Sequence, residues 1–127
     1  MLKMVIPIAA GGAVGAVARY LIMVAIGHAV HVSFPVSTLI VNVVGCFVLG
    51  LLIEVSALAW SIGGELRAFL VVGVLGGFTT FSAFAMEAVL LGERGQILTA
   101  GTYVILSVVL SIAALFLGMV ALRAILT

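Results

Sequence analysis

Gly73-Val-Leu-Gly-Gly-Phe-Thr-Thr-Phe-Ser-Ala-Phe84 lies inside an apolar run, Ala68 to Met86, that holds no charged residue. In lipid the low-cost solution for such a run is a continuous helix, which satisfies its own backbone groups. This stretch works against that solution. Gly73, Gly76 and Gly77 lower helix propensity. Thr79 and Thr80 offer hydroxyls to nearby backbone as alternative partners. The reading is a helix broken in mid-membrane. Backbone broken at that depth is tolerated only where it is buried in protein or lines a wet cavity. Carbonyls freed by such a break can coordinate a cation, as half-helices of transporters do. Phe78, Phe81 and Phe84 recur at every third residue and are expected to share a helical face just after the break.

The rest of the chain supports a membrane setting. Of its 127 residues, 66% are hydrophobic and 7% are charged, against about 25% charged in soluble domains. A chain this short cannot hide that much apolar surface in a soluble core. Met1-Leu-Lys3 leads straight into a long apolar segment, so no removable signal peptide is expected. Four segments are long enough to cross a bilayer: about residues 4–26, 35–58, 67–91 and 96–122. No linker or repeat separates them, so the expectation is an all-α membrane protein of one domain. An even number of spans puts both termini on one side. That side carries Lys3, Arg67 and Arg123, and the other carries Arg94 and Arg19. Positive charge in short loops sets orientation, and here the two sides are nearly balanced. Insertion both ways up, with antiparallel pairing, and a single orientation with weak signals both remain open on these counts.

Small residues recur at packing distance: Gly11 with Gly15, Gly12 with Ala16, and Gly73 with Gly77. Such pairs let helix backbones approach closely in lipid. Polar residues inside the spans need a reason. Asn42 is either interhelical glue or a pore-lining donor. Thr99, Tyr103, Ser107 and Ser111 step by four and form a hydroxyl stripe on the fourth span. The same hydroxyls could instead serve helix carbonyls. Arg19 and Glu87 are read most simply as interfacial charges, and Glu54, Glu65 and Glu93 as solvated. Cys46, the one cysteine, is expected to be a packing residue. His28 and His31 have no further ligand type to complete a metal site and belong to a solvated loop. No nucleophile has a base at recognisable spacing, and neither a Walker loop nor a dinucleotide fingerprint occurs, so an enzyme is not expected. The net charge of +1 argues against a nucleic-acid partner.

Taken together, Gly11-Gly-Ala-Val-Gly-Ala-Val-Ala-Arg-Tyr20, Asn42-Val-Val-Gly45 and the Gly73–Phe84 stretch resemble the Fluc (CrcB) family of fluoride channels across essentially the whole chain. The resemblance implies a dual-topology antiparallel homodimer with two pores. It implies passive, selective fluoride export from a multi-pass position in the bacterial inner membrane. It also implies residue roles. Phe81 and Phe84 match the phenylalanines whose ring edges line the fluoride path, with Thr80 and Ser82 beside them. Asn42 matches a donor to the ion, and Tyr103, Ser107 and Ser111 fall on the family's polar track. Arg19 matches a vestibule arginine. The carbonyls of Gly76 and Thr79 match a pair that, from both subunits, hold a structural sodium ion (Na+). Ala83 departs from the pattern, because many relatives carry a hydroxyl there. The alternative is a small multidrug-resistance-type proton-coupled exporter, also four-span. Those carriers resemble one another in a glutamate on the first helix, where this chain has only Arg19 as a charged residue.

Overall fold

The computed structural model describes residues 1–127. It is all-helical, with four segments long and apolar enough to cross a membrane. Helix α1 is Leu2–Ala29 and α2 is Val36–Leu58. The third span divides into α3, residues 64–78, and α4, Phe81–Glu93. Helix α5 is Ile97–Leu126 and forms the fourth span. Gly95, at φ +78°, supplies the left-handed residue that turns the chain from α4 into α5.

The break expected in the third span is present. Thr79 (φ −80°, ψ 156°) and Thr80 (φ −147°, ψ 119°) are extended, at the midpoint of the 30-residue span. Of the two causes expected, glycines and threonine hydroxyls, only the second acts. Gly76 and Gly77 stay helical, and the helix runs on through Phe78. The threonines do the breaking. Thr79 turns its hydroxyl back to the Leu75 carbonyl (2.8 Å), and Thr80 caps α4 by accepting the Ala83 N–H (3.1 Å). One feature of α3 had no counterpart in the sequence reading: Ala68–Leu75 is wound as a π-helix.

Two helix pairs build the bundle. Helix α1 lies along α3, and α2 lies along α5. Glycine makes both contacts. A Cβ at Gly73 would come within 2.8 Å of the Gly11 Cα, and one at Gly77 within 2.7 Å of the Gly12 carbonyl oxygen. Gly50 packs against the Leu115 backbone and Gly118 against that of Phe47. The small-residue pairs therefore face each other across α1 and α3, as expected for lipid, where dispersion between close backbones replaces the hydrophobic drive. The same geometry separates structural glycines from idle ones. Gly15→Val places a side chain against the Val74 and Phe78 backbones, an overpacking that costs about 3 kcal/mol or more. Gly12→Ala meets nothing within 4 Å. Size-exclusion of detergent extracts should show the first variant aggregated and the second like wild type. A monodisperse Gly15→Val would contradict the α1–α3 docking.

Two further expectations are corrected. Phe78 does not share a face with Phe81 and Phe84. It precedes the break, and it turns inward against Gly45 on α2, because two extended residues reset the helical phase. Glu54 is not solvated. It is 4% exposed and takes a bidentate ion pair from Arg123, with Nε to Oε1 at 2.8 Å and Nη2 to Oε2 at 3.1 Å. The pair ties the end of α2 to the end of α5. Its partners are 69 residues apart, and nothing local in the sequence announces it.

A candidate anion cleft at the helix break

The break exposes backbone that a membrane protein must satisfy, and Asn42 does so. Its Oδ1 accepts the Thr80 N–H (2.8 Å), and its Nδ2 donates to the Thr80 carbonyl (2.9 Å). The amide thus clamps α2 onto the break from both sides. Nδ2 carries two hydrogens, so one remains for a further acceptor.

The clamp has a consequence for the carbonyls. In an unbroken helix the N–H of Thr80 would serve Gly76 O, and that of Ala83 would serve Thr79 O. Here those hydrogens go to Asn42 Oδ1 and Thr80 Oγ1. The carbonyl oxygens of Gly76 and Thr79 lose their usual donors. Gly76 is exposed on the protomer surface and Thr79 is half-buried. Two neutral oxygens per chain, freed in mid-membrane, are the ligand type that hard monovalent and divalent cations take. These residues fit a sodium ion by chemistry.

Beside the break lies a cleft of about 310 Å³. Asn42 and Cys46 line it from α2, and Thr79, Thr80 and Phe81 from the break and the start of α4. Phe84 adds a further turn of α4, and Ser107, Val108, Ser111 and Ile112 form the α5 wall. No lining residue is charged. Of the residues singled out for a fluoride path, the cleft therefore brings together Asn42, Thr80, Phe81, Phe84, Ser107 and Ser111. The Phe81 and Phe84 rings sit 5.4 Å apart, tilted by 58°. Phe84 is 8% exposed, whereas Phe81 is 79% exposed and turns its ring out of the protomer.

Two of the expected residues stand off the cleft. Tyr103 is fully buried behind it, 5.2 Å from the Phe84 ring and edge-on to Phe34 at 5.5 Å. Ser82 is exposed, its hydroxyl 3.4 Å from that of Thr80. The hydroxyls of Tyr103 and Ser107 are buried and lie beside each other, with Thr38 and Glu87 also next to the Tyr103 hydroxyl. Arg19 is half-buried on α1, away from the cleft, and it forms no hydrogen bond or ion pair. It lies one turn before Met23, which lines a separate hollow of about 490 Å³ at the end of the bundle.

That hollow holds residues the sequence reading missed. Thr38 is 1% exposed and donates to Glu87 Oε1 at 2.5 Å, and both line the hollow with His31 and Ser33. Glu87, expected as a plain interfacial charge, is thus half-buried and engaged. A signal for this existed. Thr38, Asn42 and Cys46 step by four along α2, a polar stripe of the same period as the one on α5.

Comparison with known proteins agrees over nearly the full length. The family model described as "CrcB-like protein, Camphor Resistance (CrcB)" matches residues 6–119. A protein from Rhodospirillum centenum, named fluoride-specific ion channel FluC, is 50% identical over 122 residues, 96% of this chain and 97% of that one. One of the same name from Cereibacter sphaeroides is 50% identical over 123 residues, 97% of each chain. The protein from Nitrobacter hamburgensis named fluoride-specific ion channel FluC 1 is 42% identical over 119 residues, 94% of each.

Proposed function

Because the chain belongs to the CrcB (Fluc) family, we propose that it is a fluoride-specific channel, a multi-pass bacterial membrane protein and not an enzyme. The observation that carries the reading is the uncharged cleft at the helix break, lined together by two phenylalanine rings, serine and threonine side chains and the Asn42 amide. Fluoride is small and strongly hydrated, so a pathway has to replace its water with donors. The Ser107 and Ser111 hydroxyls and the spare Asn42 N–H are donors. The edges of Phe81 and Phe84 carry the positive part of the ring quadrupole. A full positive charge would hold the ion too long, and conduction needs sites weak enough to leave. Neutral donors therefore suit passive, rapid movement. Tyr103, Ser107 and Ser111 continue the path along α5, with Ser82 and Thr80 at its flank. Arg19 stands off the cleft, one turn from the hollow at the end of the bundle, and would draw anions towards that end.

The finer reading is a homodimer. Broken backbone at membrane depth needs cover, and in one protomer Gly76 and Phe81 are exposed. A second copy, antiparallel, covers both and doubles the pathway to two. The near balance of Lys3, Arg67 and Arg123 against Arg94 and Arg19 favours insertion both ways up. The Gly76 and Thr79 carbonyls of the two copies would hold a sodium ion. Its charge, when bound, offsets the cost of bringing an anion into a low-dielectric interior. Fluoride accumulated inside the cell then leaves down its gradient.

Purified protein in liposomes loaded with potassium fluoride or potassium chloride tests the function. Fluoride efflux after potassium release by an ionophore, without matching chloride efflux, is the expected result. Equal rates for the two halides reject it.

A further inference from the structure

We infer that a groove between α2 and α3 binds a membrane phospholipid with a net negative headgroup, whose phosphate pairs with Arg67. The site is separate from the cleft at the break and independent of the channel reading. Helices α2 and α3 belong to different helix pairs, and the groove, of about 210 Å³, lies on the seam between them. Leu52, Ile53, Ser56 and Ala57 line it from α2, and Arg67 and Val71 line it from α3.

Its lining is sorted by depth. Helix α2 ends at Leu58 and α3 begins at Gly64, so the short connection 59–63 marks one membrane surface. Trp60, exposed in that connection, is a residue type that settles at headgroup level. Ser56, Ala57 and Arg67 lie near this surface. Leu52, Ile53 and Val71 lie one helical turn further into the membrane. A charged mouth over an apolar floor is the profile of a phospholipid, with its phosphate above and its acyl chain below.

The charge at the mouth is unspent. The ion pair of this end joins Arg123 to Glu54 and leaves Arg67 out. Ser56 gives its hydroxyl hydrogen to the Leu52 carbonyl (2.8 Å), so the guanidinium supplies the side-chain donors of the groove, in the fork geometry that matches a phosphate. Helix α3 starts at Gly63 without a side-chain cap, which puts the positive end of its dipole in the same turn as Arg67. Glu65, in that turn, is exposed and outside the groove. No carboxylate lines the groove to receive the ammonium of a zwitterionic headgroup. The chemistry therefore selects a net anionic lipid, as basic pockets between membrane helices do.

Native mass spectrometry of the purified protein in detergent, titrated with phosphatidylglycerol or phosphatidylcholine, tests the site. Wild type is expected to retain one phosphatidylglycerol per chain and to hold phosphatidylcholine more weakly. Arg67→Gln should weaken phosphatidylglycerol retention about fivefold. Ala57→Phe, which fills the groove at an exposed position and keeps the charge, should weaken it as well. Lys3→Gln removes an exposed charge outside the groove and should change nothing. Equal retention of the two lipids by wild type overturns the inference, as does an Arg67→Gln variant that binds like wild type. Equal losses in Lys3→Gln and Arg67→Gln overturn it too, because the attraction is then diffuse. Displacement of the lipid by an equal concentration of inorganic phosphate overturns the assignment to a lipid. A wild type that retains no lipid, with a dimer fraction that falls in Ala57→Phe, places a second copy in the groove and also overturns it. None of these readouts depends on fluoride flux, so a failure of the channel reading is told apart from a failure here.

Discussion

Phe84→Ile is expected to lower fluoride flux about a hundredfold, equivalent to ~2.7 kcal/mol of added barrier, in a chain that still folds. Phe84 is buried between the Phe81 ring at 5.4 Å and the Tyr103 ring at 5.2 Å, and it lines the cleft. Isoleucine fills much of the same volume and keeps the site apolar, but it has no quadrupole and so no positive edge. If the rings merely shaped the cleft, the substitution would leave flux close to wild type. Efflux from liposomes, normalised to the amount of monodisperse protein, separates the two cases. Phe81→Ile should act in the same direction. Its ring is exposed in the protomer, so its fold depends on it less.

Asn42→Leu should be the most damaging single change at the break. It removes the partner of both the Thr80 N–H and the Thr80 carbonyl. Each orphaned group costs roughly 1–3 kcal/mol when buried, and lipid offers no substitute. The variant also loses the spare amide hydrogen of a side chain that lines the cleft. Yield of folded protein should drop steeply, and the fraction recovered should carry no fluoride current. Near-normal yield together with near-normal flux would show that the Asn42 clamp is dispensable, and would remove the link between the break and the pathway.

Both expectations depend on a feature that was partly legible in advance. The third span had to break, because glycines and paired threonines in an apolar run argue against a continuous helix. Where it broke depended on the threonines alone. Gly73 and Gly77 had a different task, close contact with α1, which composition cannot distinguish from helix breaking. Phe78 departs from the expected shared face because a three-residue period holds only within one helix, and the break falls between Phe78 and Phe81. The polar residues of α5 were legible as a stripe because their spacing matches a helix face. The matching stripe on α2, Thr38, Asn42 and Cys46, is equally present in the sequence. The Glu54–Arg123 pair and the π-wound stretch Ala68–Leu75 are of another kind. The ion pair arises from tertiary register between distant segments, for which one sequence offers no local signal, and no spacing in the sequence marks the π-wound stretch.

The freed carbonyls of Gly76 and Thr79 follow from hydrogen bonds that no spacing rule gives. Two N–H groups leave the helical ladder, one for a side chain 38 residues away and one for a cap. Family resemblance picked out the same two oxygens without that reason. The hydrogen-bond geometry supplies the reason, and it makes the cation proposal a statement about particular orphaned atoms.

The central claim is that fluoride travels against ring edges and hydroxyls laid open where the third span is interrupted. Dipolar dephasing between fluoride-19 and carbon-13 tests it most directly, on fluoride-loaded protein in bilayers with phenylalanine ring carbons labelled. The account predicts dephasing from the bound ion at ring carbons in wild type, weakened in Phe84→Ile. Bound fluoride that shows no coupling to any phenylalanine ring would contradict it.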